Sequence, residues 1–214
     1  MAINNEMVLT KAQGAAYQYQ FNPQQMKHLT LFVAACMGLV TLISCGGSAA
    51  NQPPTADGFA SIEEELNNEF GDNAYYTELT ITHNKSIGSI ITTMVTDAPE
   101  SLKMGQWTYS QGVWKQTSEV SLEIPENTKA EDFMFQLNDK INLETLGGLV
   151  EKSMGHLTEE KELENPSLQM AFVKFPKNGD LAQTEYNVFL QPEHGGTTFS
   201  YRYDLKGALI EMDY

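Results

Sequence analysis

The spacing of hydrophobic residues changes period several times along the chain, and each change marks a different element. Ile62, Leu66 and Phe70 recur every fourth residue before Gly71, which predicts a short amphipathic helix opened by the capping-box sequence Ser61-Ile62-Glu63-Glu64. Alternating β-branched and aromatic positions follow and predict antiparallel strands at residues 75–82, 87–95, 107–114 and 120–124.

The same order of patterns returns in the second half of the chain. Apolar positions between Leu143 and Leu157 predict a second helix, and the Gly147-Gly148 pair inside it is interpreted as allowing close packing onto the sheet. Alternating runs then predict strands at residues 168–175, 184–191, 197–203 and 208–213. Turn residues recur about 90 positions apart, which suggests an internal duplication.

These patterns predict an α+β fold in which antiparallel meanders are each preceded by a helix, as a tandem duplication. The alternative is a single lipocalin-like or half-barrel sheet. The predicted units are residues 59–124 and 141–214, joined by a polar connector at 125–140. This architecture resembles the tandem helix-plus-sheet modules of the β-lactamase-inhibitor-protein and PepSY kinds, and the resemblance implies a concave surface but carries no functional residue.

An apolar run near the N-terminus predicts the cellular location. The run from Leu29 to Ile43 follows Met26-Lys27-His28 and ends at Leu42-Ile43-Ser44-Cys45. It is shorter than the roughly 20 residues that span a bilayer. Its cationic start, its length and the small residue before the cysteine resemble the signal peptide and lipobox of a bacterial lipoprotein. The resemblance implies cleavage after Leu42, Ile43 and Ser44, and a lipid anchor carrying acyl chains such as palmitate on Cys45.

The lipoprotein interpretation divides the N-terminal part of the chain. Residues 1–25 are interpreted as an extension before a true start at Met26, residues 26–44 as the signal peptide, and residues 45–58 as a lipidated, flexible tether. Cys36 falls inside the signal peptide, so the mature protein is expected to have no disulfide. The residues after Cys45 lack the acidic patch that would resemble the surface-export tag of Bacteroidota lipoproteins, and they lack the Asp in the second place that would resemble inner-membrane retention in enterobacteria. The lipoprotein resemblance therefore implies an outer-membrane anchor facing the periplasm.

Charge excludes one class of partner. Of 13 basic and 28 acidic residues, only Lys11, Lys27 and Glu6 precede Cys45, which leaves 11 basic and 27 acidic residues after it. Arg202 is the sole arginine. Binding to nucleic acid requires clustered Lys and Arg, so a nucleic-acid partner is not expected.

The sequence contains no recognisable catalytic or metal-binding motif. It has no nucleophile elbow, no His-x-x-x-His pair, no cysteine ligand set and no phosphate-binding loop. His83 and His194 fall in predicted turns and His156 near a predicted helix end, where solvated histidines are expected. We therefore predict no catalytic residue, no metal and no cofactor.

Aromatic residues in the strands are the remaining candidates for binding. Because side chains alternate along a strand, the rings of each aromatic strand share one face, which is predicted to be the core. The alternative is an exposed platform for a glycan or an apolar partner, with these binding candidates: Trp107, Tyr109, Trp114, Tyr201 and Tyr203. The opposite face would present the polar residues Thr108, Ser110, Ser200 and Arg202.

Three hypotheses for function follow. The first is a membrane-anchored, non-catalytic module that binds a protein, peptide or envelope glycan. The second is a hydrolase or hydrolase inhibitor acting through His83 or His194 with nearby acids. The third is a carrier whose apolar interior holds a lipid or another small apolar ligand.

Overall fold

A computed structural model describes residues 49–214, in which two helices pack against one face of an antiparallel sheet. The interpretations of residues 1–25 and of the lipobox residues Leu42, Ile43, Ser44 and Cys45 lie outside the described residues. Within residues 49–214, neither helix combines the length and the apolar character needed to cross a bilayer.

Each helix is followed by a four-stranded meander. The helices are α1 (Ala56–Phe70) and α2 (Leu143–Glu160). The strands are β1 (Tyr75–Asn84), β2 (Gly88–Thr96), β3 (Lys103–Ser110), β4 (Val113–Ser121), β5 (Pro166–Lys174), β6 (Glu185–Pro192), β7 (Phe199–Asp204) and β8 (Leu209–Asp213). The prediction of an α+β fold with a helix before each meander is confirmed.

The two meanders form one continuous sheet. Its strand order is β4-β3-β2-β1-β5-β6-β7-β8, and the meanders join where β1 pairs with β5 in antiparallel orientation. The first strand of each meander is thus at the centre and the fourth at an edge. Because the two edge strands do not pair with each other, the sheet is open. The closed, lipocalin-like form of the alternative is therefore wrong for the described residues, whereas its expectation of a single sheet agrees with the continuous sheet.

Helix α1 begins earlier than the sequence pattern predicts. Its N-cap is Thr55, whose hydroxyl accepts a hydrogen bond from the Gly58 amide at 3.2 Å, and it ends before Gly71 as predicted. The first turn contains Gly58 because a Cβ there would lie 2.0 Å from the Pro53 carbonyl oxygen. A glycine in the first turn hides the helical signal, so the capping-box pattern at Ser61 places the start six residues, or nearly two turns, too late.

The segment interpreted as a flexible tether, 45–58, is structured from residue 49 onward. Ala49–Asn51 forms a 3₁₀ helix, and Ala49 and Ala50 are only 4% and 1% exposed. Their small side chains fit into the core beside the β1–β2 turn, where Gly88 lets the chain approach closely. The segment lacks hydrophobic periodicity, but it is not a free chain, and its last residues, from Ala56 onward, already belong to α1.

Two other segments differ from the sequence expectations. The run predicted as one strand at 107–114 contains the end of β3, the Gln111-Gly112 turn and the start of β4. Both turn residues have positive φ, at 53° and 83°, as in a tight hairpin. The connector 125–140 contains a 3₁₀ helix, Ala130–Phe133, and the buried Phe135, which exchanges backbone hydrogen bonds with Tyr76. The connector is therefore part of the packed fold.

Candidate functional site

The strand aromatics proposed as binding candidates lie on the face that the helices cover. Tyr109, Tyr201 and Tyr203 are at most 2% exposed, and Trp107 and Trp114 are partly buried against Phe70 of α1. The Tyr203 hydroxyl lies 2.7 Å from Ser153 Oγ in α2. The prediction that this aromatic face is the core is confirmed, and these rings hold the helices on the sheet.

The histidines are dispersed and differ in their surroundings. His156 is not a solvated surface residue: its Nδ1 lies 2.9 Å from the Tyr201 hydroxyl, and its ring meets the tyrosine edge-on. His83 lies in β1 rather than in a turn, with Nδ1 3.2 Å from Ser89 Oγ, and burial lowers its pKa. His194 is exposed in the connection between β6 and β7. Within residues 49–214 no group of three His, Cys, Asp or Glu side chains could hold a metal ion.

The opposite face of the sheet, which we call the open face, carries apolar side chains at its centre. Phe172 of β5 and Phe189 of β6 are half-buried and stack with ring centroids 5.8 Å apart and an interplanar angle of 14°. Met170 and Met94 lie on the same face and are also half-buried. Sequence reasoning judged this face by its outer strands and missed the apolar residues of its central strands.

A groove of about 860 Å³ runs over this apolar centre. Its floor is formed by β1, β2 and β5, one wall by the segment 122–125 with Phe133, and the other wall by residues 175–177. Its lining is mainly apolar and includes Met94, Leu122, Ile124, Pro125, Phe133, Met170, Phe172, Phe175 and Pro176. The described residues thus form an open, mainly apolar groove.

The wall at 122–125 is held in place by a small second core. Met104, Ala130 and Met134 are at most 4% exposed and pack together on the open-face side of the sheet, with Leu122 and Ile124 against them. This cluster fixes the wall relative to the floor. The groove is therefore built into the fold rather than formed by an unsupported loop.

Polar groups border the apolar lining. The exposed Glu78, Glu123 and Lys177 lie along the groove, so it offers both signs of charge. The Thr77 hydroxyl is buried in the lining and has no hydrogen-bond partner among residues 49–214. A few convergent polar groups beside an apolar surface are typical of a binding site.

An ion-pair network stands on the open face beside the phenylalanine pair. Arg202 donates to Glu185 from Nη2 at 2.8 Å and from Nε at 3.1 Å, and Lys174 donates to the same carboxylate at 3.1 Å. Arg202 also donates to Glu211 on the edge strand. The guanidinium of Arg202, assisted by Lys174, lowers the pKa of Glu185 below its ordinary value of 4.5.

This network predicts a dependence of stability on pH. Because the pKa of Glu185 is lower in the folded chain, its contribution is fully present above about pH 4.5 and is lost as the pH falls through the lowered folded pKa. Glu185→Gln should therefore reduce the free energy of unfolding at pH 7 by about 1 kcal/mol and have little effect near pH 2. Urea denaturation at both pH values measures this. The matched variant Glu211→Gln, at an exposed edge position, should have the smaller effect, and equal losses at pH 2 and pH 7 would contradict the assignment.

Comparisons with protein-family models, with curated proteins and with solved structures found no match to this chain.

Proposed function

We propose that this protein is a lipoprotein anchored through Cys45 to the periplasmic face of the outer membrane, and that its folded domain is a non-catalytic binding module for a protein or peptide partner. The observation that supports the binding role best is the apolar groove on the open face of the sheet. The lipobox sequence supports the anchor.

The lining of the groove favours an extended peptide segment over a glycan. Its floor consists of methionine, phenylalanine and threonine side chains, and methionine adapts its shape to apolar partners. An extended segment places alternate side chains on one face, so it could direct apolar side chains onto Phe172 and Met170 while its polar side chains stay in water. A glycan would instead require many hydrogen-bonding groups on the floor.

A small apolar ligand is the second candidate, because the volume and lining of the groove also favour it. Pockets for small molecules typically have about 300–1,000 Å³, and this groove falls in that range. The groove is open along one side, however, so an acyl chain lying in it would remain partly in water. A peptide, with one apolar and one polar face, suits an open groove better.

Site-specific photo-crosslinking in cells distinguishes these candidates. A photoreactive phenylalanine analogue in place of Phe172 should crosslink to a discrete protein, whereas the same analogue in place of Lys115 should not. Lys115 is the matched control because it lies on the edge strand β4, outside the groove. A crosslinked species only a few hundred daltons heavier than the protein would support the carrier. Absence of any crosslink specific to position 172 would contradict both candidates.

A charge placed in the groove should abolish the interaction. Met170→Glu puts a carboxylate on the apolar floor, where a bound apolar side chain would desolvate it, so we expect at least a tenfold loss of affinity for the crosslinked partner. Lys115→Glu places a carboxylate on the edge strand outside the groove. It changes the charge by two units instead of one, and it should still leave affinity within twofold. Affinity is measured by titrating the purified partner, and circular dichroism verifies that both variants are folded. Unchanged binding by a folded Met170→Glu variant would show that the groove is not the site.

A further inference from the structure

We infer that the lipid anchor holds the domain with one particular end against the bilayer, so that the apolar groove opens at the far end, away from the membrane. This inference rests on the proposed lipidation of Cys45. It concerns which end faces the membrane, which neither the lipobox nor the groove specifies alone.

The packed chain begins beside the turn between β1 and β2. Ala50 is 1% exposed, and its carbonyl oxygen lies so close to Gly88 that a Cβ on that glycine would be 1.8 Å from it. Gly88 is the first residue of β2, directly after the β1–β2 turn. The chain therefore enters the fold at the end of the sheet that carries this turn, which we call the anchor end.

The chain between the proposed lipid and the fold is short. Only residues 46–48 separate Cys45 from the buried Ala49. Even a fully extended chain spans at most about 3.6 Å per residue, so these four steps reach no further than roughly 14 Å. The coil of 13 residues expected from the sequence would let the anchor end move further from the lipid, whereas this short connection keeps the anchor end within that distance.

The anchor end carries charged and apolar side chains from more than one connection. The turn between β1 and β2 contains Lys85, which pairs with Glu193 at 2.5 Å, and Ile87, which is 37% exposed. Because β5 runs antiparallel to β1 and β6 antiparallel to β5, Pro166 and Pro192 lie at this end too. The end that faces the lipid therefore includes the β1–β2 turn and the connection after β6.

The groove lies far from the anchor end of the sheet. Met94, on the groove floor, is six residues along β2 from Gly88, which corresponds to about 20 Å at the rise of a β-strand. The walls at 122–125 and 175–177 follow the ends of β4 and β5 that point away from the anchor end. The groove is therefore presented to the periplasm and not to the lipid surface.

Charge indicates that the short connection, rather than attraction to lipid, enforces this orientation. Glu159, Glu160, Glu162 and Glu164 are exposed where α2 leads into β5, at the anchor end. Anionic headgroups repel such a segment. Protein that lacks the lipid should accordingly not bind vesicles, and the contact should exist only while the anchor holds it.

Lipid-borne quenchers test the orientation on the full lipidated protein. After signal cleavage Cys45 is the only cysteine and is blocked by lipid, so Ser86→Cys at the anchor end and Asn178→Cys beside the groove can each carry one fluorophore. In phosphatidylcholine vesicles containing nitroxide-labelled lipids, we expect quenching at position 86 to exceed that at 178 at least threefold. Equal quenching, or stronger quenching at 178, would overturn the inference.

A longer connection provides the matched control. Inserting ten Gly and Ser residues after Gly47 should bring the quenching at positions 86 and 178 within 1.5-fold of each other. A difference that survives the insertion would overturn the role of the short connection. Mass spectrometry of the N-terminal peptide separates the two proposals: an unlipidated Cys45 removes the anchor and the inference together, whereas a lipidated Cys45 with equal quenching overturns only the orientation.

Discussion

Replacing Gly147 by alanine should destabilise the domain by about 2–3 kcal/mol, because the added methyl group has no space. A Cβ at this position would lie 2.4 Å from the carbonyl oxygen of Thr55 and 2.8 Å from Cβ of Phe59. The Thr55 oxygen is backbone and also accepts a hydrogen bond from the Phe59 amide at 2.9 Å. The two helices would therefore have to separate, which would weaken the packing of both against the sheet.

The next residue supplies the control for this variant. Gly148 lies in the same helix, but a Cβ there would have no neighbour within 4 Å. Gly148→Ala should therefore stabilise the domain by up to about 1 kcal/mol, since alanine is the better helix former. Urea denaturation followed by circular dichroism measures both. Effects of the same sign for the two variants would show that the close approach of the helices does not limit stability.

The packing role of these glycines was predictable from the sequence, but their packing partner was not. The pair was predicted to be a packing position, and for Gly147 that is confirmed, but the partner is helix α1 and not the sheet. A glycine inside a predicted helix indicates that another element packs closely against that position. The sequence does not report which of two adjacent glycines is needed or which element approaches it, because that depends on the crossing of two helices far apart in the chain.

The alternation of apolar and polar residues also did not predict the groove on the open face. Alternation correctly assigned the aromatic face to the core, because burial of that face forces the period of two. In β1 and β5 the register shifts, between Tyr76 and Glu78 and between Leu168 and Met170, so the simple alternation is interrupted. After such a bulge, sequence position no longer predicts the face. The open-face position of Met170 and Phe172 therefore became clear only from strand pairing.

The connector could not have been interpreted from local pattern. Met134 and Phe135 are buried through contacts with Met104 and Tyr76, which are remote in sequence. An acidic segment with one short apolar insert resembles a solvated loop. Its contribution to the groove wall arises because it returns across the open face of a sheet that is already formed.

Replacing Gly88 by alanine should release the N-terminal segment from the fold and destabilise the domain by about 3 kcal/mol. Part of this loss is conformational, because Gly88 has a φ of 78° and a residue with a side chain costs roughly 1–2 kcal/mol in that region. The remainder comes from the clash with the Ala50 carbonyl oxygen, 1.8 Å from the added Cβ. The strain is relieved most easily if residues 49–54 leave the core.

Gly195→Ala separates the two causes, since Gly195 has a φ of 81° but no atom within 4 Å of an added Cβ. Gly195→Ala should lose only the conformational part of the free energy of unfolding. Hydrogen exchange of the peptide spanning residues 49–55 should become faster in Gly88→Ala but not in Gly195→Ala. Equal exchange in both variants would mean that Gly88 does not hold the segment. If the segment is released, the connection from Cys45 lengthens to about ten residues, with a reach of roughly 35 Å. If Cys45 carries the proposed lipid, the Gly88→Ala variant should then lose the proposed orientation of its groove while keeping the lipid.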